Sequence, residues 1–247
     1  MTVPSDDGSH QEISLSISMR TPGDDKALVV GFLFSEGIIN NIDDVKKITY
    51  FGPVTEPYSI QNQINVKLKS GDSINDRDFQ RHFYSNSSCG VCGKASIQAL
   101  EMQHNPQLTK NGFSISKEKL CTLPILLRKA QLEFEQTGGL HGIALIDGAG
   151  SILVIKEDVG RHNAMDKLLG ELLISEVHKS AENMVLVSGR TSFELVQKAL
   201  MADIPFIASI GAPSSAAIDL AKEYNMTLVG FLNQSSYNIY NGSHRIT

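Results

Sequence analysis

Cysteine is scarce in this chain of 247 residues, which contains only three. Three cysteines cannot build a disulfide framework. The cysteine count is odd, and the polar N-terminus shows no signal-peptide core, so the sequence predicts a reducing, cytoplasmic environment. Positive charge is also in deficit, because 22 Lys and Arg face 27 Asp and Glu and leave a formal net charge of −5. That balance argues against broad binding to nucleic acid or to anionic membranes. The sequence has no run of about 20 apolar residues, so no membrane span is predicted.

The pattern along the chain predicts two parts, which could also form one compact domain. Residues 1–116 are expected to form a smaller α+β part, with strands at 13–17, 46–51 and 59–69, a buried helix at 26–39 and a polar loop at 70–93. Residues 117–247 begin with a helix at 117–136 and then alternate strands with helices. This alternation predicts βαβ units and a partly parallel sheet. The expected strands are 141–146, 152–155, 184–187, 205–210, 226–232 and 237–240, and the helices are 163–176, 192–201 and 214–224.

Two of the three cysteines stand together in Cys89-Gly90-Val91-Cys92-Gly93. The glycines leave the sulfurs uncrowded, Lys94 adds a cation, and a helix is predicted to start there, so all three features favour the nucleophilic thiolate. A Cys-x-x-Cys pair can also be half of a zinc site, a structural disulfide or a thioredoxin-like redox motif. Zinc needs about four ligands, and Cys121 is the one thiol left over. No metal site is therefore predicted.

Three loops that join predicted strands to helices, at 157–163, 188–192 and 211–215, carry small, hydroxyl-bearing or basic side chains. Free N–H groups at helix N-termini bind phosphate, and ligands of open α/β sheets collect at the carboxyl ends of the strands. Together the loops predict a site for a ligand with phosphates. The alternative is that the serines are ordinary helix caps and the arginines are solvated; His162 could be an acid/base, an anion contact or a structural hydrogen-bonding residue. The candidate ligand-binding residues are Arg161, His162, Gly189, Arg190, Thr191, Ser192 and Ser214.

Taken together, several ordered segments resemble the FdhD/NarQ family of formate dehydrogenase accessory sulfurtransferases. They include the Cys89–Gly93 pentapeptide and an unbroken block of 11 residues at 157–167. The remaining matching segments are 19–25, 31–39, 137–141 and 188–194.

The resemblance implies a fold and a function. The implied fold is an α/β/α sandwich similar to cytidine deaminase, with a mixed sheet. The implied function is a cytoplasmic, homodimeric sulfur carrier that takes persulfide sulfur from a cysteine desulfurase. It passes the sulfur to the molybdenum bis(molybdopterin guanine dinucleotide) cofactor, which then goes to formate dehydrogenase. By motif match Cys89 carries the persulfide and Cys92 assists by relay or resolution, and a guanine nucleotide such as GDP is expected to mimic the cofactor.

The family's guanine-nucleotide contact maps onto the segment after Gly230, where relatives often read Gly-Phe-x-Arg. The corresponding residues here are Phe231, Leu232, Asn233, Gln234, Ser235 and Ser236. Asn233 keeps hydrogen-bonding capacity but lacks the charge of arginine. Arg161 or Arg190 is therefore expected to supply the charge.

Two other functions fit parts of the sequence. The protein could be a non-catalytic chaperone for the cofactor or for formate dehydrogenase. It could also be a zinc-dependent, deaminase-like hydrolase, because His10-Gln11-Glu12 and the Cys89/Cys92 pair formally match the H-x-E and C-x-x-C elements of that class. Two features argue against the deaminase alternative: Ser88 stands where deaminases have proline, and His10 lies in a polar N-terminal segment.

Overall fold

The computed structural model of the protein describes residues 1–4, 10–57, 59–69, 106, 108, 112–175 and 180–247. These residues form two compact units: one within Met1–Ser18 and Glu36–Val91, the other within Met19–Ser35 and Cys92–Thr247. The sequence predicted a boundary between the two parts at residue 116. In the structure the helix Asp25–Ser35 belongs to the second unit, although it lies before that boundary. Within the described ranges, no helix has the length and apolar character needed to cross a membrane. Cys89 and Cys92 lie outside the described residues.

The first unit is built on a four-stranded sheet. Its strands are β1 (Thr2–Pro4), β2 (His10–Glu12), β3 (Val45–Thr55) and β4 (Ile60–Leu68) in the order β2-β1-β4-β3. The two predicted strands at 46–51 and 59–69 are present as β3 and β4 and pair antiparallel, and β1 runs parallel to β4. The prediction of a strand at 13–17 was wrong: this stretch has no helix or strand, and Ile17 is 99% exposed.

The second unit contains a six-stranded mixed sheet, and this confirms the predicted α/β class. Its strands are β5 (His141–Ile146), β6 (Ile152–Asp158), β7 (Met184–Val187), β8 (Phe206–Ser209), β9 (Thr227–Gly230) and β10 (Asn238–Asn241). Their order across the sheet is β10-β9-β8-β7-β5-β6. The central strands β7, β8 and β9 are parallel, whereas β5 is antiparallel to both β6 and β7, and β10 is antiparallel to β9.

Helices cover both faces of this sheet. The α-helices of the described residues are α1 (Asp25–Ser35), α2 (Lys117–Ala130), α3 (Leu132–Thr137), α4 (Arg161–Ser175), α5 (Phe193–Met201) and α6 (Ser215–Glu223). Successive strand residues point to opposite faces, so Ile143 and Leu145 enter one buried cluster while Ala144 and Ile146 enter the other. The first cluster is filled by α4, α5 and α6, and the second by α2, which gives three layers. The closer likeness to cytidine deaminase stays a prediction.

Two predicted helices end differently in the structure. The helix expected at 26–39 ends at Ser35, because Gly37 adopts φ = 70°, a left-handed conformation that terminates helices. The helix expected at 117–136 is two helices separated by Gln131. The carboxylate of Glu157 accepts hydrogen bonds from the N–H groups of Glu133 and Phe134, both at 2.9 Å, and so caps the start of α3.

Helix α1 packs against α4 at two glycines. A Cβ added to Gly31 would lie 1.8 Å from the carbonyl oxygen of Asp166, and one added to Gly170 would lie 1.8 Å from that of Ala27. Only hydrogen fits between the two backbones at this crossing.

A buried cluster of three polar side chains, Ser35, Asp166 and Lys198, lies beside the crossing and links α1, α4 and α5. Lys198 Nζ donates to Asp166 Oδ1 at 2.7 Å and to Ser35 Oγ at 2.6 Å, and Ser35 Oγ donates to Asp166 Oδ1 at 2.9 Å. Burial raises the pKa of Asp166, and the charge of Lys198 opposes that rise. The carboxylate therefore depends on its lysine partner.

Candidate functional site

Four strands of the second unit end at the same edge of the sheet. Strand β6 is antiparallel to β5, which is antiparallel to β7, so β6 points in the same direction as β7, β8 and β9. Their carboxyl ends lead into loops 158–161, 188–192, 210–214 and 231–236, which we call the strand-end edge. Strand β5 begins at this edge with His141 opposite Asp158. Ligands of open α/β sheets collect at such an edge.

Backbone hydrogen bonds hold three of these loops together beyond the strands. Thr191 donates its N–H to Ala212 O at 3.2 Å and accepts from Ser214 N at 2.9 Å. Gly211 donates to Gly189 O at 2.9 Å and accepts from Phe231 N at 3.1 Å. A Cβ at Gly211 would lie 2.8 Å from Gly189 O, so glycine permits this close approach. The three loops therefore extend the hydrogen-bonded network of the sheet beyond the ends of its strands.

Two buried polar atoms on this edge have no hydrogen-bond partner among the residues that the structure describes. They are Nε of Arg161, the first residue of α4, and Oγ1 of Thr191. The side chain of Thr191 is buried, with 1% exposed, while Arg190 beside it is exposed. Buried polar groups normally have partners, and leaving them unpaired costs free energy. Both atoms are therefore candidates to bind an anionic or hydrogen-bonding ligand.

His162 lies against the loop that precedes α5. Its Nε2 is 3.1 Å from Ser192 Oγ and 3.9 Å from Glu194 Oε2. Ser192 is the N-cap residue of α5, but its hydroxyl makes no capping hydrogen bond to that helix. Burial, followed by the positive charge of Arg161, lowers the pKa of His162 to about 4. The imidazole is thus neutral near pH 7, and the 3.9 Å contact with Glu194 is not an ion pair.

A second histidine lies on the same edge. A Cβ at Gly189 would come within 3.1 Å of Nδ1 of His141, so Gly189 leaves room for the ring. Burial, followed by the charge of Arg161, lowers the pKa of His141 as well. The start of β5 is tied to the neighbouring loop because Gly142 N donates to Ser188 Oγ at 2.9 Å.

The start of α4 is fixed by a buried ion pair. Asp158 Oδ2 accepts from Lys167 Nζ at 2.8 Å and from Thr21 N at 3.0 Å, and Oδ1 accepts from Gly160 N at 2.9 Å and from Asn163 Nδ2 at 3.0 Å. Both charged side chains are almost fully buried. This network sets the direction of the loop that carries Arg161 and His162.

The side chain of Asn233 is used entirely within its own loop. Its Nδ2 donates to Phe231 O at 3.2 Å and to Ser236 Oγ at 2.8 Å. Its Oδ1 accepts from Ser235 N, Ser235 Oγ and Ser236 N, each at 3.0 Å. Asn233 therefore organises loop 231–236 and has no amide hydrogen left for a ligand.

The other predicted residues of this region differ in what they can offer. Phe231 is 48% exposed, whereas Leu232 is 1% exposed and packs in the second core cluster. Gln234, Ser235 and Ser236 are exposed. Ser214 caps α6, since its Oγ accepts from Ala217 N at 3.2 Å.

The structure thus brings the predicted residues of four loops to one edge of the second unit. Glu194 and Asp158 were not among the predicted site residues. The position of Glu194, two residues after Ser192, was the available signal for its role, while the Asp158–Lys167 pair depends on tertiary packing. Among the described residues no three His, Cys, Asp or Glu side chains come together in a way that could hold a metal ion.

Comparison with known proteins places these features in a family. A model of the FdhD/NarQ family matches residues 9–247. The curated protein "Sulfur carrier protein FdhD" of Streptomyces avermitilis is 46% identical over 234 residues, which cover 94% of this chain and 83% of the relative. The protein of the same name from Saccharolobus solfataricus is 43% identical over 231 residues, with 94% and 83% coverage.

A solved structure shares the fold. It is a crystal structure from Desulfotalea psychrophila, described provisionally as a formate dehydrogenase accessory protein. It aligns over 100% of this chain and 97% of its own length with a TM-score of 0.67 and 24% sequence identity.

Proposed function

We propose that this chain, which belongs to the FdhD/NarQ family, is a sulfur carrier that serves the maturation of formate dehydrogenase. The name shared by its curated relatives supports the carrier role. The finer proposal is that the chain receives sulfur from a cysteine desulfurase as a persulfide. It then passes the sulfur to the molybdenum bis(molybdopterin guanine dinucleotide) cofactor as its acceptor substrate. A cytoplasmic location and a homodimer belong to the same proposal.

The observation that carries the acceptor part is the pair of unpartnered buried atoms on the strand-end edge. Arg161 Nε is a charged donor and Thr191 Oγ1 can donate or accept, and neither has a partner among the described residues. The exposed guanidinium of Arg190 lies in the loop of Thr191. Two arginines with free donors suit the phosphates of a dinucleotide, since a guanidinium matches the geometry of phosphate oxygens.

Sulfur transfer to the chain is proposed to occur at Cys89. Its thiolate attacks the terminal sulfur of the donor's persulfide, a new S–S bond forms, and the donor cysteine leaves as a thiolate. The exchange moves one sulfur atom between two cysteines without net oxidation. Cys92 is proposed to assist the later release of sulfur, and the strand-end edge holds the acceptor by electrostatic positioning.

The test is intact mass spectrometry after incubation with a cysteine desulfurase and free cysteine. Wild type and Cys92→Ala are expected to gain one sulfur atom that dithiothreitol removes, whereas Cys89→Ala is expected to gain none. Cys121→Ala is the matched control, because Cys121 lies on α2 within the second unit, and it should behave as wild type. If wild type gains no sulfur from an active donor, the carrier proposal fails and a cofactor-binding chaperone replaces it.

A further inference from the structure

Thr21 is distant from the strand-end edge in sequence, but its N–H, its carbonyl and its hydroxyl are all bonded to that edge. Its N–H donates to Asp158 Oδ2 at 3.0 Å, and its carbonyl oxygen accepts from Lys167 Nζ at 3.0 Å. Its Oγ1 accepts from Val159 N, also at 3.0 Å. Three hydrogen bonds therefore join this one residue to the end of β6 and to α4.

The backbone around Thr21 is itself held in place. Pro22 follows it, and a residue before proline is restricted to extended conformations. Two residues earlier, the carbonyl oxygen of Met19 accepts from Asn163 Nδ2 at 2.8 Å, so the segment contacts α4 a second time. The hydroxyl of Thr21 is thus presented to the loop after β6 from a fixed position.

The connection that this hydroxyl holds is very short. Strand β6 ends at Asp158 and α4 begins at Arg161, so only Val159 and Gly160 connect them. The N–H of Gly160 donates to Asp158 Oδ1 at 2.9 Å, and the N–H of Val159 donates to Thr21 Oγ1. The side chain of Val159 is 49% exposed, so packing holds it weakly. The hydroxyl of Thr21 therefore provides one of the two hydrogen bonds that fix the N–H groups of this connection.

The charged groups of the same network have no bonding capacity left for a ligand. Lys167 Nζ has three hydrogens and three acceptors, namely Asp158 Oδ2 at 2.8 Å, Thr21 O at 3.0 Å and Glu157 O at 3.2 Å. Each oxygen of the Asp158 carboxylate accepts two hydrogen bonds. Arg161 differs, because its buried Nε has no partner among the described residues. The network can support an anion at this edge only through the placement of Arg161.

We propose that Thr21 is a positioning residue of the ligand site: its hydroxyl fixes the connection between β6 and α4, and with it the direction in which the guanidinium of Arg161 meets an anionic group of the ligand. Thr21 acts through Arg161 and does not contact the ligand. No residue of segment 19–25 was among the predicted site residues. This inference rests on the proposed function, in that a phosphate group of the acceptor binds at the strand-end edge.

Binding of inorganic pyrophosphate to the full chain, measured by isothermal titration calorimetry, tests this role. Thr21→Val removes the acceptor of Val159 N and nearly keeps the shape of the side chain. It should weaken pyrophosphate about fivefold, because the loss of one hydrogen bond lowers the population of the binding-competent loop. Thr21→Ser restores the acceptor and should bind as wild type does. Thr122→Val is the matched control, since Thr122 is an exposed threonine of α2 whose Oγ1 donates to Lys119 O at 2.7 Å.

Hydrogen exchange of the Val159 amide shows whether the loop itself responds. Exchange should be faster in Thr21→Val than in wild type and unchanged in Thr21→Ser. A purely structural role of Thr21 would shift the urea midpoint and leave the pyrophosphate affinity of the folded protein unchanged. Thr21→Ala repeats the test with a smaller side chain if Thr21→Val does not fold.

The outcomes separate this inference from the proposed function. Wild-type affinity in a folded variant without the hydroxyl would overturn the positioning role and leave the anion site standing. Equal losses in Thr21→Val and Thr21→Ser would also overturn it, because serine keeps the acceptor. If wild type binds no pyrophosphate, the inference fails together with the acceptor part of the proposed function. The persulfide experiment on Cys89 tests the carrier part independently of all these results.

Discussion

Two buried threonines of the second unit provide a matched test of whether the strand-end edge is built for a ligand. Thr191 and Thr227 are 1% and 0% exposed. Thr227 Oγ1 donates to Gly242 O at 2.6 Å and accepts from Arg245 Nη1 at 3.1 Å. Thr191 Oγ1 is equally buried but has no partner among the described residues. Replacement by valine removes the hydroxyl and nearly keeps the shape in both cases.

The expected effects on stability differ in sign. Thr227→Val leaves a carbonyl and a guanidinium N–H without their partner, which costs about 2 kcal/mol. Thr191→Val removes an unpaired buried hydroxyl, so the free energy of unfolding should stay constant or rise by about 1 kcal/mol. Backbone hydrogen bonds hold Thr191 in place in either variant. Urea unfolding followed by far-UV circular dichroism measures the expected difference of about 2 to 3 kcal/mol between the two variants.

Binding supplies the second half of this test. Thr191→Val should weaken GDP by about fivefold, the equivalent of one hydrogen bond, while Thr227→Val should leave the affinity unchanged under conditions where it is folded. A Thr191→Val variant that is as unstable as Thr227→Val would show that the fold itself satisfies this hydroxyl. In that case the unpaired atom would no longer support a ligand site.

Three further substitutions test the surroundings of the site. Gly31→Ala should lower the free energy of unfolding by about 2 kcal/mol, because overpacking of the new Cβ, 1.8 Å from a backbone oxygen, costs about 3 kcal/mol and the higher helix propensity of alanine offsets about 1 kcal/mol. Gly139→Ala is the control in the same urea titration, since a Cβ there meets no atom closer than 4.0 Å. A Gly31→Ala variant that is more stable than wild type would contradict the close crossing. Lys198→Met should cost about 3 kcal/mol at neutral pH. Because burial raises the pKa of Asp166, this carboxyl group binds a proton more tightly in the folded state than in the unfolded state. The cost of losing Lys198 should therefore shrink as the pH falls towards the unfolded pKa of an aspartate, about 4. A cost that does not change with pH would refute the reasoning. Asn233→Ala should speed hydrogen exchange of the amides in loop 231–236 with less than about 1 kcal/mol of global change, and unchanged exchange there would show that the side chain does not organise the loop.

Much of the fold could be predicted from the sequence where local pattern and tertiary structure agree. Strands β5 and β7 have the predicted bounds because a short apolar run between turn residues has few other ways to be buried. The break between α2 and α3 could not be predicted in this way. It depends on Glu157, which caps α3 from a strand more than 20 residues later in the chain. Such a cap exists only once the sheet has formed.

The site shows the same division. The rule that ligands collect at strand ends predicted that Arg161, Arg190 and Thr191 would share one edge. It could not predict that Ser192 leaves its helix uncapped to contact His162, since the residue type alone favours capping. Spacing predicts which loops meet, whereas the direction of each hydroxyl follows from which acceptors surround it in the folded chain.

The position of the charge at this edge follows from how Asn233 is used. Position 233 is exposed, so an arginine there would be a hydrated cation. Asn233 instead donates both of its amide hydrogens to acceptors within its own loop. Arg161 has the opposite environment, with a buried Nε that lacks a partner among the described residues. Burying a charged donor without a partner is costly, and an anion beside it would relieve that cost. Anionic parts of a ligand are therefore expected to bind near the start of α4 rather than at loop 231–236.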